Sequence, residues 1–277
     1  MRLLTVARND FLNVRRSKLL WFVCALYALF TGLFFYVGST GESPVVNQQL
    51  FAMSGVGALV IPLVALVAAY LSIAGERESG SIRIRLGLPT TRLELVLGKF
   101  LSRALAVFAA VVLALVVAVA LAVTLYPSPN LGQFPQFALL LSLFALAYVG
   151  IAVAISAATA SRARAMGYAI GYYFVFNVLW LAGQFSVAAA LRFVLEDTLG
   201  LSVSANVYDF VVNLSPARAY LNSLYLVFDP ANFGQRLPPL GDVPWFLSPE
   251  FSAALLVAWL VVPLAVGYYV FRNAELS

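Results

Sequence analysis

The stretch GERESGSIRIRLGLPTTRLELVLGK, residues 75–99, decides how this chain is read. It packs five Arg or Lys and three Glu into 25 positions, between long runs with almost no charge. The whole chain has 277 residues, 62% of them hydrophobic and only 10% charged. An ordinary soluble domain is about 25% charged and about 45–50% apolar. One water-soluble core cannot hide so much apolar surface, so the bilayer must be the solvent for most of it.

Outward from that stretch, six apolar runs have the length a helix needs to cross about 30 Å of hydrocarbon. They cover about 19–37, 56–73, 105–126, 137–160, 166–187 and 252–270. The expected fold is an all-α integral membrane protein: one six-span domain over 19–277, preceded by an amphipathic helix over 1–18. An even number of spans puts both termini on one side. If that side is the cytoplasm, 14 of the 17 basic residues lie inside in short segments, which satisfies the positive-inside rule. Five of the 12 acids accompany them, leaving the inner face strongly positive and the outer face negative. The net charge of +5 is thus a signal of orientation, and no nucleic-acid partner is expected. The first apolar run is too long for a signal peptide and no A-x-A site follows it, so it reads as an uncleaved span.

Residues 1–18 place Leu3, Leu4, Ala7, Phe11 and Val14 on one arc of a helix, with Arg8, Arg15 and Arg16 mostly elsewhere. Such a helix lies in the inner headgroup plane, with Leu3, Leu4, Phe11, Arg15 and Arg16 as its interfacial residues. In 75–99, Gly75 and Gly80 punctuate the exit from the second span. Residues 82–88 alternate apolar and basic, which suits a short helix or a short strand. Pro89 stops that element, and Thr91 with Glu94 forms a capping box that starts the helix into the third span. A positive-inside loop accounts for the Arg and Lys but not for Glu76 and Glu78. A short structured element carrying both signs of charge suits docking to a soluble protein.

The outer region 192–250 is too long for a connector. Its apolar pieces, several prolines, Trp245 and tyrosines fit helices that re-enter or lie on the outer leaflet. No Asp, Glu, Lys or Arg sits at the middle of a span, which weighs against an ion-coupled carrier. Asn177 and Gln184 share one face of the fifth span; interhelical hydrogen bonding and lining of a substrate path are both open to them. Gly167 and Gly171 form a GxxxG pair suited to a close helix contact. Histidine is absent and Cys24 is the single cysteine, so no metal site and no internal disulfide are expected. There is no P-loop, no H-E-x-x-H and no G-x-S-x-G, so neither ATP binding by a P-loop nor enzymatic activity is expected of this chain.

With the amphipathic start and six spans, the central stretch resembles the permease subunits of ABC-2-type ATP-binding cassette transporters. The similar branch is the one that includes permeases beside nitrous-oxide-reductase maturation genes. Glu76, Arg77, Glu78, Gly80, Ser81 and Ile82 follow that family's E-R-E-x-G-T-hydrophobic pattern, with Ser in place of Thr. Leu88, Pro89, Thr91 and Arg92 follow its L-P-x-[ST]-R, and Gly98 and Lys99 its Gly-Lys. The resemblance implies a pair of permeases, homodimeric or heterodimeric, on two copies of a soluble P-loop ATPase that holds ATP and Mg. It further implies an exporter in a prokaryotic cell membrane. Glu76, Arg77, Glu78, Gly80, Ser81, Ile82, Arg83, Pro89 and Arg92 would form the ATPase-coupling element. The alternative is a stand-alone carrier or membrane assembly scaffold with no ATPase.

Overall fold

A computed structural model describes residues 2–14, 18–41, 44–87, 90–180, 186–230, 241 and 243–275. Every regular element among them is helical. In chain order these are α1 (Arg2–Val14), α2 (Lys18–Ser39), α3 (Val46–Ala69), α4 (Ala74–Glu78), α5 (Ser81–Gly87), α6 (Arg92–Leu125), α7 (Phe134–Ala158) and α8 (Arg162–Tyr173). There follow α9 (Val187–Arg192), α10 (Ala205–Asn213), α11 (Pro216–Ser223) and α12 (Pro249–Asn273). The helix α8 continues as a π-helix over Phe174–Leu179. Among the described residues, four helices are long and apolar enough to cross a membrane: Val46–Glu78, Arg92–Leu125, Phe134–Ala158 and Pro249–Asn273. This is a membrane protein.

The helix α6 starts where its sequence says it should. Thr91 accepts the backbone N–H of Glu94, and the Glu94 carboxylate accepts the N–H of Thr91 at 2.8 Å. Its 34 residues span about 51 Å at 1.5 Å per residue, well beyond a hydrocarbon layer of about 30 Å. About a dozen residues therefore project beyond such a layer, and Arg92, Lys99 and Arg103 mark the N-terminal end as the projecting one. The alternating 82–88 stretch takes the helical of its two options, as α5.

At the centre of the bundle is α7, whose Phe137, Phe144 and Tyr148 are fully buried. Its most extensive partner is α12. Two glycines let these helices approach: a Cβ on Gly150 would meet the Leu260 carbonyl oxygen at 2.8 Å, and one on Gly267 the Ala154 Cα at 2.5 Å. The short helices α10 and α11 follow one another, and α11 packs into the bundle against α7, α12 and α3. The Tyr220 ring stacks on Phe144 at 4.3 Å, and Phe228 packs on Phe51 and Phe137. The break between α10 and α11 exposes backbone carbonyls at depth, and two indoles cover them. Trp180 Nε1 donates to Val212 and Trp259 Nε1 to Leu214, each at 2.8 Å. Asn213 donates to the Phe246 carbonyl at 2.7 Å, and Ser215 to that of Phe176 at 2.9 Å.

Because the obstacle at Gly267 is backbone, the neighbour cannot yield by a rotamer change. Gly267→Ala should lower stability by about 1–3 kcal/mol through overpacking, read as a drop in the thermal unfolding midpoint in detergent.

Candidate functional site

The ends of several helices meet at α4. Ser156 of α7 accepts the N–H groups of Ile73 and Ala74 at 2.9 and 3.0 Å, which starts the short helix. Consecutive side chains on a helix point about 100° apart, so Glu76, Arg77 and Glu78 reach three different helices. Glu76 accepts from Lys99 of α6 at 2.5 Å. Arg77 Nη1 donates to the Ala157 and Thr159 carbonyls, both at 3.2 Å, which covers the C-terminal end of α7. Glu78 accepts the backbone N–H of Arg162 at 2.5 Å and so caps the N-terminus of α8, with the Arg162 Nε 3.8 Å away. Each charge has the sign its helix end requires: a cation at carbonyls, an anion at N–H groups.

Arg92 repeats the device on the last helix. Its Nη1 donates to the carbonyls of Phe271, Arg272 and Ala274 at 2.6, 2.8 and 2.9 Å, closing the C-terminus of α12. The guanidinium carbons of Arg77 and Arg92 lie 5.9 and 5.5 Å from the centre of the buried Phe271 ring. Gly80 turns the chain from α4 into α5 at φ +72°, a conformation that favours glycine, and nothing stands near its missing Cβ. Ile82 then anchors α5 inward while Arg83 is exposed.

Beneath α4 lies a buried ionic cluster. Lys99 and Asp10 are both 2% exposed, and Lys99 Nζ stands 2.5 Å from Asp10 Oδ1 and 2.5 Å from Glu76 Oε1. Arg103 Nε approaches Asp10 Oδ2 at 3.3 Å, and the Ser102 hydroxyl donates to the same carboxylate. Two cations and two anions leave the cluster neutral, which is what makes its burial tolerable. Burial alone would push the Asp10 carboxyl up; Lys99 and Arg103, with the hydrogen bonds from Lys99 and Ser102, outweigh it and hold the group below its ordinary 3.8.

The structure redistributes the residues expected from the sequence. The packed face of α1 runs Leu3, Val6, Ala7, Asp10, Phe11, not the purely apolar arc, and Leu4 is 68% exposed. The physical reason is Gly98: without a side chain there, Val6 comes so near that an added Cβ would lie 2.6 Å from its Cγ1. Glu76, Arg77, Glu78 and Arg92 all have partners within the chain, Gly80, Ser81 and Ile82 build the turn, and Arg83 faces outward. Asn177 is fully buried and bonded to Tyr148 and to the Ala58 carbonyl. Arg15, Arg16, Pro89 and Gln184 lie outside the described residues. Sequence reasoning missed Asp10, Arg103 and Phe271 and gave Lys99 no task. The available signal was an acid set at helical spacing among apolar residues of a basic helix.

A family model described as ABC-2 family transporter protein matches residues 4–276. The chain belongs to the ABC-2 transporter family. It is similar to the Probable ABC transporter permease protein NosY of Pseudomonas aeruginosa, 27% identical over 277 residues and 97% of each chain. It is also similar to the protein of that name from Stutzerimonas stutzeri, 24% identical over 280 residues and again 97% of each. As an ABC-2 permease the chain is a membrane transport protein, and the matches cover the inner helix-end assembly as well as the apolar bundle.

Lys99→Met should cost about 3–5 kcal/mol, because it strands buried carboxylates; adding Asp10→Asn should recover part of the loss, read by thermal unfolding of both variants. Since the Asp10 pKa is lowered on folding, its contribution is complete above about pH 4 and is lost only as pH falls through the lowered value.

Proposed function

We propose that this ABC-2 permease is an exporter subunit driven in trans by a separate soluble P-loop ATPase. It crosses the cell membrane of a prokaryote six times, with both termini in the cytoplasm. Two permeases, in a homodimer or with a sibling chain, pair with two ATPase copies. ATP and Mg are bound in those partners, and this chain supplies the passage. The coupling element is 75–92, with α5 as the part that enters the partner.

The observation that carries this reading is convergence. Glu76, Arg77 and Glu78 of α4 tie together α6, α7 and α8, and Arg92 at the start of α6 closes the end of α12. The helix α4 leads through Gly80 into α5, whose Arg83 is exposed. A push on α5 would reach all four helices at once. A second copy has a place on α8: added Cβ atoms on Gly167 and Gly171 would meet nothing within the chain.

The test uses Arg83, because Glu78 also caps α8 and its loss would disturb the fold. Arg83→Glu should leave the unfolding midpoint within about 1 °C of the parent. It should cut permease-dependent ATP hydrolysis by the co-purified ATPase at least about fivefold. Undiminished stimulation by the stable variant would remove α5 as the docking element. A stable chain that purifies with no ATPase would favour a stand-alone carrier or scaffold.

A further inference from the structure

The helix α8 is unusually free for a membrane helix near the centre of a chain. Only Ala165 and Ala169 are buried along it, and Met166, Tyr168 and Ile170 are each about half exposed. It stands off α3 across an apolar groove of about 530 Å³, lined by Leu63, Val67 and Tyr70 on one side and Met166, Ile170 and Phe174 on the other. At one end of this groove α8 is tied to α4, which follows α3 in the chain, and at the other the helix is tied to α3 itself. At the inner end, Glu78 holds the backbone N–H of Arg162. At the other end, deep in the membrane, the bridge is built on a fault in each helix.

The fault in α3 is Pro62, which has no N–H and so leaves the carbonyl four residues earlier, that of Ala58, without its helical donor. Asn177 Nδ2 supplies the missing donor at 2.9 Å, and the Tyr173 hydroxyl donates to the adjacent Leu59 carbonyl at 3.2 Å. The fault in the other helix is the π-helical turn Phe174–Leu179, which contains Asn177. Such turns are uncommon and mark functional sites and kinks. The Tyr148 hydroxyl of α7 donates to Asn177 Oδ1 and fixes the amide from the third side.

We propose that Asn177 is the pivot about which α8 swings against α3, opening and closing the groove between them. Glu78 is the attachment through which the inner element moves the free end. Asn177 is a positioning residue: it holds the joint while the arm below it turns. The cause of the swing rests on the coupling role given above to 75–92; the pivot itself does not.

The experiment uses the full chain in lipid nanodiscs, with Cys24→Ser and spin labels at Tyr168→Cys on α8 and Leu105→Cys on α6. Unlabelled chain is added in excess to suppress distances between copies. Asn177→Leu should widen the distance distribution of α8 and lower the unfolding midpoint by roughly 3–6 °C. In a Pro62→Ala background, residue 62 regains an N–H for the Ala58 carbonyl, and the loss in midpoint from Asn177→Leu should fall by about half. An unchanged distribution, or an equal loss in both backgrounds, would overturn the pivot. Adding the ATPase and nucleotide is a separate arm: no shift there would count against docking and leave the pivot result standing.

Discussion

A helix that ends at the edge of hydrocarbon leaves backbone groups that water reaches poorly, and each one left unsatisfied costs several kcal/mol. Here the C-termini of α7 and α12 and the N-terminus of α8 meet that problem together at one end of the bundle. Side chains from a single stretch answer it. Arg77 and Arg92 take the carbonyl ends, and Glu78 takes the N–H end. The alternation of sign in Glu-Arg-Glu is therefore a requirement of the fold before it is a feature of any partner surface.

The cluster below that level works differently. A lysine removed from water is costly, and a neutral hydrophobic replacement of the whole set could match its stability. What Lys99 supplies is geometry. Its ammonium meets carboxylates from α1 and α4 at once, so α1 has one register on α6, and Gly98 sets how near it comes. The amphipathic helix is thereby fastened to α4 and α6 by ions as well as by apolar contacts. Packed interfaces of this kind shift between discrete arrangements more readily than they deform, so displacement of α4 would carry α1 and the inner third of α6 with it.

The parts legible in the sequence were those coded by neighbours. The Thr91–Glu94 box, the apolar runs and the turn at Gly80 are local signals; the structure realises the box and the turn, and four of the six runs lie in helices long and apolar enough to cross a membrane among the described residues. The partners of Arg77, Arg92 and Asn177 are main-chain carbonyls 80, 179 and 119 residues away. A carbonyl carries no side-chain signature, so nothing in the sequence marks it as an acceptor. For that reason the sequence offers Glu76 and Glu78, unexplained by orientation, no role but one that suits docking. Asp10 was hidden for another reason: its burial depends on Lys99 and Arg103 of α6, far along the chain.

The same argument reaches into the membrane. Asn177, Trp180, Ser215 and Trp259 direct donors to backbone carbonyls at Pro62, at the π-helical turn or at the α10–α11 break, and Tyr173 and Asn213 direct theirs to the carbonyls of Leu59 and Phe246. These polar groups serve irregular backbone at depth, the one setting in which such backbone is stable there. The bundle is thus tied in two layers, by neutral donors at one level and by ions at the helix ends around α4. Between the layers α8 packs lightly, with only Ala165 and Ala169 buried, so a force applied at α4 would find its softest response there.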